Sequence, residues 1–279
     1  MVNVIFAKIR LPLFSVKQPE SFQVMSSMPI PQPSSLIGAL AYCLGVISGE
    51  GVKALNKVYE MVERGDILAA RARPWSDGGA ATPLTLSTVI LRRFRVVDKA
   101  HEKKRRGEVK PAERLSKAVS GGDLVQAKRI LEIELTDAFY REYVMGIDML
   151  CAWVVREGVI DPESVKLIPR LGDTESLCTV IKVWSEKCGT AKKTIVETSF
   201  PAPALGKARV LEGSFMYMKL CDELRRLVPF IVPCEVRVER SGKVRYPAIR
   251  PTAVRIEYEE GARVCETSVG DIVLGVGES

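Results

Sequence analysis

The sequence predicts an α+β fold, and the spacing of its apolar residues carries that prediction. Residues 2–11 alternate apolar and polar side chains, which is typical of a strand with one face on a core. Residues 36–47 place their apolar side chains at helical spacing. From about residue 200 onward, proline-punctuated strands dominate. We therefore expect a domain of strands and helices over residues 1–199 and a smaller β-rich unit over residues 200–279.

The first strand has two different faces. Ile5, Ala7 and Ile9 lie on one of them, whereas Lys8 and Arg10 lie on the other. We expect the basic face to point away from the core and to meet an anionic partner.

Two helices are predicted to follow a proline-rich loop. Ser34 and Ser35, directly after Pro33, form a good helix start, and the glycines and alanines that follow keep this helix thin. A second amphipathic helix begins near Val52 and stops at Gly65.

The remaining elements alternate in a recognisable order. The predicted strands cover residues 67–75, 84–97, 131–135, 139–147 and 177–184, with a short helix over 149–156. Beyond residue 200 we predict strands over 232–240, 254–258 and 272–276, with one helix at 217–227. The order strand, helices, strands, helix, strand is that of a ferredoxin-like or RNA-recognition-type fold.

The composition is that of a folded protein without special stabilising devices. The 279 residues are 47% hydrophobic and 27% charged, and the longest apolar run, Leu36–Ile47, is too short to cross a bilayer. The first residues lack the basic start of a secretory signal, so we expect a cytosolic protein. Asparagine and glutamine are scarce, which favours a thermophilic origin.

The seven cysteines are scattered and the chain has a single histidine. No zinc site and no cofactor is therefore expected, and the cysteines are interpreted as small buried residues. One internal disulfide stays open if the source is a hyperthermophile.

Positive charge is concentrated in one segment. The formal net charge is +7, but residues 92–129 carry +8 and the rest of the chain carries −1. Such a segment favours nucleic-acid binding over a solvated loop or a membrane surface. We predict that residues 99–122 form a protruding, partly mobile finger inserted in a β-hairpin.

Two stretches resemble a known family. Residues 5–45 contain an apolar strand, a proline-rich loop and Pro31-Gln32-Pro33-Ser34-Ser35-Leu36-Ile37-Gly38. This resembles the opening of the CRISPR-associated Cas-five family, with its P-S/T-x-x-x-G helix start. Residues 170–177, Arg-Leu-Gly-Asp-Thr-Glu-Ser-Leu, resemble the same family's glycine turn in the form typical of archaeal subtype I-A. The insertion at 99–122 lies where that family has its thumb.

The resemblance implies a modified RNA-recognition fold that caps the 5′ handle of the crRNA in a type I interference (Cascade) complex. Its neighbours would be the backbone filament subunit and the large subunit. The serines at the helix start would then hold a handle phosphate on free N–H groups, with plain helix capping as the alternative. Arg170 would reach a phosphate beside Gly172, with an exposed arginine on a structural turn as the alternative.

The candidate RNA-binding residues are basic apart from two serines. They are Lys8, Arg10, Ser34, Ser35, Arg92, Arg93, Arg95, Lys103, Lys104, Arg105, Arg106 and Arg170.

A binding role is favoured over an enzymatic one. Some relatives in another subtype are metal-independent endoribonucleases that process the guide precursor, and this is the alternative function. Such cleavage needs proton-transfer groups, usually histidine, and only His101 exists here, within the charged finger. A scaffold without an RNA role would leave the basic segment unexplained.

Overall fold

A computed structural model describes residues 2–19, 26–75, 84–94, 100–103, 107–145, 148–173 and 176–276. They form a strand-rich α+β fold with several antiparallel sheets. The chain divides into two compact units, of which the smaller contains residues 88–141. Residues 200–276 belong to the larger unit, together with 26–87 and 142–173. The predicted boundary at residue 200 stays a prediction.

The helices, numbered along the chain, are α1 (Pro33–Ser48), α2 (Lys53–Glu63), α3 (Pro111–Ser120) and α4 (Leu124–Arg129). A π-helical turn covers Ile130–Glu134 and a 3₁₀ helix covers Pro162–Leu167. The strands are β1 (Val2–Arg10), β2 (Leu13–Phe14), β3 (Ile67–Trp75), β4 (Leu84–Phe94), β5 (Thr136–Met145), β6 (Asp148–Arg156), β7 (Thr179–Cys188), β8 (Thr190–Thr198), β9 (Ala202–Pro203), β10 (Ala208–Glu212), β11 (Phe215–Cys221), β12 (Leu227–Ser241), β13 (Val244–Pro251), β14 (Val254–Cys265) and β15 (Ile272–Val276). No helix in these described ranges is long and apolar enough to cross a membrane.

The larger unit is organised around a four-stranded sheet. Its order is β3-β6-β1-β7, and each neighbouring pair is antiparallel. A second sheet contains β10, β14 and β15, with β8 also paired to β14. A third has the order β11-β12-β13-β4-β5-β2, with β9 beside β12.

One face of the four-stranded sheet packs on helix α1, as the apolar alternation predicts. Ile5 and Ile9 share a core with Leu36 and Leu40, and all four side chains are fully buried or nearly so. Trp153 on β6 also fixes the helix, because its indole N–H donates to the Leu36 carbonyl at 3.2 Å.

Helix α1 also lies close to α2. A Cβ on Gly45 would lie 3.1 Å from the Gly51 carbonyl oxygen and 3.2 Å from the Ala54 Cβ. Any larger side chain at position 45 would force the two helices apart.

The second face of the sheet is covered as well. Val4 and Phe6 of β1 are fully buried in a cluster that contains Phe200 and Ile272, and a Cys188–Cys265 disulfide links β7 to β14. The expectation that this face points away from the core was wrong. The second sheet packs there, and sequence alternation in β1 alone does not reveal it.

Lys8 and Arg10 are therefore not an open basic surface. Lys8 is 8% exposed, and its ammonium lies 3.2 Å from Asp148. Arg10 stands directly opposite Asp148 in the β1–β6 register, and its Nε donates to the same carboxylate at 2.9 Å. One acid on β6 thus compensates both cations, although the Arg10 side chain stays half exposed.

The smaller unit has its own helical core. Ala118, Ala127, Ile130 and Leu135 are buried together, and the Asp123 carboxylate caps α4 by accepting from the Gln126 N–H. The predicted strand over residues 131–135 was wrong. The buried residues here are Ile130 and Leu135, five positions apart, and the Leu135 N–H donates to the Ile130 carbonyl, as in a π-helical turn.

Two predicted helices are strands. Residues 149–156 lie in β6, and residues 217–221 lie in β11. Every residue of β6 except Arg156 is buried, because β6 is covered on both faces, so no alternation marks it as a strand.

Candidate nucleic-acid interface

A groove of about 230 Å³ lies between helix α1 and the loop that precedes β7. Helix α1 contributes Ser35, Gly38 and Tyr42, and the loop contributes Arg170 and Gly172. Two predicted phosphate-binding segments, far apart in the sequence, therefore meet in one groove.

The start of helix α1 has no side-chain cap. Its N-cap residue is Gln32, which is extended (φ −77°, ψ 155°) and makes no capping bond. The Gln32 side chain instead donates to the Lys17 carbonyl at 3.1 Å and accepts from the Cys221 N–H at 2.7 Å. Pro33 has no N–H and is suited to the first helical position.

The serines do not cap the helix, so the capping alternative was wrong. Ser34 and Ser35 are half-buried. Among the described residues, neither hydroxyl has a hydrogen-bond partner, and neither does the Ser34 N–H. Unsatisfied N–H groups and the helix dipole together attract anions to a helix N-terminus.

The opposite wall of the groove is a tightly pinned loop. Ser176, fully buried, accepts from the Ser15 N–H at 2.9 Å and donates to the Ser15 carbonyl at 3.2 Å. Gly172 has a φ of 119°, and a Cβ there would lie 2.8 Å from the Ser15 carbonyl oxygen. Only glycine accommodates both this φ and this close approach.

This loop presents a positive charge on a rigid support. The Arg170 backbone bridges to Leu177, and the flanking Pro169 carbonyl accepts from the Cys178 N–H at 3.0 Å. The Arg170 side chain is exposed and has no ion-pair partner among the described residues. An exposed guanidinium is suited to binding a phosphate.

Helix α1 also offers the groove an aromatic ring. Tyr42 is 49% exposed and follows Gly38 by one helical turn. A Cβ on Gly38 would meet no atom within 4 Å, so the helix surface between Ser35 and Tyr42 is open. An exposed ring beside an anion site can stack on an unpaired base.

The amino-acid sequence has archaeal relatives. It is 29% identical over 243 residues to CRISPR-associated protein Cas5 of Thermoproteus tenax. This alignment covers 84% of this chain and 88% of the relative's length. It is 27% identical over 197 residues to CRISPR-associated protein Cas5 of Methanocaldococcus jannaschii. This second match covers 67% of the chain and 65% of the relative's length. No protein-family model matches the chain.

The chain is thus similar in sequence to archaeal Cas5 proteins. The predicted family resemblance is thereby confirmed. The fold agrees, since a CRISPR protein from Archaeoglobus fulgidus aligns over the full length of both chains with a TM-score of 0.55 at 13% identity.

The other candidate residues of this chain are not among those that line the groove, and some fall outside the described residues. Arg92 and Arg93 are in strand β4, and only their backbone is described. Lys103 is exposed in the smaller unit. Arg95 and residues 104–106 fall outside the described part of the chain, so their role stays a prediction.

Sequence reasoning did not assign Tyr42 or Gly38 to the binding site. Both lie on the same side of a helix as Ser35, at spacings of three and seven residues. That spacing was available as a signal, but only the position of the Arg170 loop shows which side of the helix borders a groove.

Proposed function

We propose that this chain is the crRNA-binding subunit of a type I CRISPR interference complex and holds the 5′ handle of the guide RNA in the α1 groove. The proposal rests on one observation above all. The two segments that resemble the Cas-five family, around Ser35 and Arg170, line the same groove.

The groove chemistry suits a single-stranded RNA end. A handle phosphate would accept from the Ser34 N–H and the serine hydroxyls, while Arg170 would neutralise a neighbouring phosphate. The Tyr42 ring would stack on an unpaired base. These contacts involve the RNA backbone and the face of one base rather than base edges. They therefore position the handle more than they identify its sequence.

We also propose that the four-stranded sheet is a modified ferredoxin-like sheet. Its strands occur along the chain as β1, β3, β6 and β7, and their order β3-β6-β1-β7 with antiparallel neighbours matches the split βαβ arrangement. The second sheet covers the face that an RNA-recognition fold commonly offers to RNA. RNA therefore binds at the helix and loop edge of the sheet.

The proposed role is non-catalytic and needs no cofactor. His101 is exposed in the smaller unit, a poor place for the rigid, dry site that proton transfer needs. The subunit would work in the cytoplasm, beside the backbone filament subunit and the large subunit.

Filling the groove should weaken handle binding without harming the fold. Gly38→Leu places a side chain in open space and replaces glycine by a better helix former, so the melting temperature should not fall. We expect the affinity for a repeat-derived RNA handle to fall by roughly tenfold or more, equivalent to about 1.4 kcal/mol. Fluorescence anisotropy with a 5′-handle RNA would measure it.

Ser48→Leu is the matched control, since Ser48 is an exposed residue at the far end of the same helix. An equal loss of affinity in both variants, or none in Gly38→Leu, would contradict the groove assignment. The RNA should also remain intact during these incubations. Site-specific cleavage that is abolished by His101→Ala would establish the endoribonuclease alternative instead.

A further inference from the structure

The hairpin formed by β12 and β13 projects from the larger unit. At its base Cys234 and Ile249 are 3% and 4% exposed and belong to the main core. Val236 and Val238, further along the same face of β12, are 53% and 73% exposed. The face that is core at the base is therefore uncovered toward the tip.

The tip has a defined geometry. Gly242 and Lys243 form a two-residue turn between Ser241 and Val244, and Gly242 has a φ of 60°. Glycine at the first turn position with positive φ is typical of a type II′ turn, whose twist matches that of the flanking strands.

Two arginines face each other next to this turn. Arg240 lies directly opposite Arg245 in the antiparallel register, one pair away from the closing Ser241–Val244 pair. Alternation along a hairpin makes this a non-hydrogen-bonded pair, in which side chains stand closest together. Like charges at such positions destabilise a hairpin unless an anion lies between them.

No counter-ion accompanies these cations within the described residues. Arg240, Lys243 and Arg245 are all exposed, and none has a hydrogen bond or ion pair. By contrast, Arg237, closer to the base, is 2.8 Å from Glu235. Among the described side chains, the positive charge of these three residues is thus uncompensated, although the chain outside residues 92–129 has a net charge of −1.

We propose that the tip of the β12–β13 hairpin is a second nucleic-acid contact, in which Arg240, Arg245 and Lys243 bind the phosphodiester backbone. A single phosphate between the two arginines removes their repulsion, and Lys243 meets the next phosphate along the strand. The proposed site contacts no base and therefore does not distinguish nucleotide sequences. It goes beyond the handle groove and does not depend on it, because it would bind any stretch of backbone, whether single-stranded RNA or duplex DNA.

The test removes the tip charges from the full-length chain. The tip variant carries Arg240→Gln and Arg245→Gln together. The control variant carries Lys192→Gln and Arg209→Gln together, which removes two exposed charges from the second sheet. Binding is measured against salt concentration with two probes, a mixed-sequence single-stranded RNA without a handle and a mixed-sequence DNA duplex.

We expect the log–log salt slope of the tip variant to fall by about 1.4 for the single strand, or about 1.8 for the duplex, if both arginines contact phosphate. The probe for which the salt slope falls shows whether the tip binds the phosphodiester backbone of single-stranded RNA or of duplex DNA. The control should keep its slope. The melting temperature of the tip variant should be unchanged or higher, because the repulsive pair is gone. Lys243→Gln alone should lower the slope by about half as much.

Several results would overturn the inference. They are an unchanged slope in the folded tip variant, an equal fall in the control, and no salt-dependent binding of either probe by the wild-type chain. Failure of the handle groove is distinguishable, since Gly38→Leu would then bind the handle normally while the tip variant still lost slope on a probe without a handle.

Discussion

Replacing Glu223 with alanine should lower the free energy of unfolding by about 3 to 5 kcal/mol, because it leaves a buried arginine without its counter-charge. Arg71 on β3 is 2% exposed and pairs with Glu223. Its guanidinium also donates to the carbonyls of Ala70 and Val273 and lies over the Phe230 ring. These contacts hold Arg71 in the interior, so the charge cannot swing out to water. Chemical denaturation would measure the loss.

Arg226→Ala is the matched control from the same turn. Arg226 pairs with Asp222, but its side chain is 71% exposed, and Asp222 still accepts from the N–H groups of Leu224 and residue 226. Because the Arg226 guanidinium is solvent-exposed and the buried Asp222 keeps these two backbone donors, the loss of Arg226 should cost less than about 1 kcal/mol. Equal destabilisation by the two variants would mean that Arg71 and Glu223 do not form a buried pair.

Removing the disulfide should destabilise the chain by about 4 kcal/mol, since it closes a long loop in the unfolded state. Cys188 and Cys265 are 77 residues apart and link β7 to β14. The variant Cys188→Ala with Cys265→Ala should melt well below the wild type without reductant, as followed by circular dichroism. The difference should shrink when the wild type is reduced.

The free thiols provide the control. Burial raises the pKa of Cys178 and of Cys234 to about 11, so both remain protonated near neutral pH and do not exchange with the disulfide. Burial also raises the pKa of the Cys221 thiol, so Cys221→Ala should leave the response to reductant intact. A wild-type melting temperature that does not respond to reduction would contradict the Cys188–Cys265 bond.

The first elements were predictable because local signals and tertiary packing agree there. The predicted strand over residues 67–75 coincides with β3, and the helix that was expected to stop at Gly65 ends at Glu63, before a glycine with positive φ. Apolar spacing likewise placed Leu40 in the core, where it is fully buried. Each of these segments is covered in the way that its own periodicity indicates.

Prediction failed for strands whose surroundings depend on packing by a part of the chain that is distant in sequence. Strand β6 is buried on both faces and reads as an apolar run, and the environment of Lys8 depends on Asp148, which is distant in sequence. The basic face of β1 looked open because the strands that cover it are distant in sequence: β14 begins 244 residues after the end of β1 (254 − 10), and nothing within β1 indicates that it packs there.

The site was predictable in pieces. Ser35 and Arg170 were each singled out with a structural alternative, and nothing in the sequence relates the two positions. Their common groove comes from tertiary packing of the 3₁₀ helix and its following loop beside α1. The hairpin tip was not recognised, because the apposition of Arg240 and Arg245 requires the register of β12 and β13.

The most direct test is ultraviolet crosslinking of the full-length chain to guide RNA, with mass spectrometry of the crosslinked peptides and nucleotides. The account predicts that the peptides containing Tyr42 and Arg170 crosslink to nucleotides of the 5′ handle, since both residues line the α1 groove. Handle nucleotides crosslinked only elsewhere in the chain, with neither groove peptide modified, would contradict it.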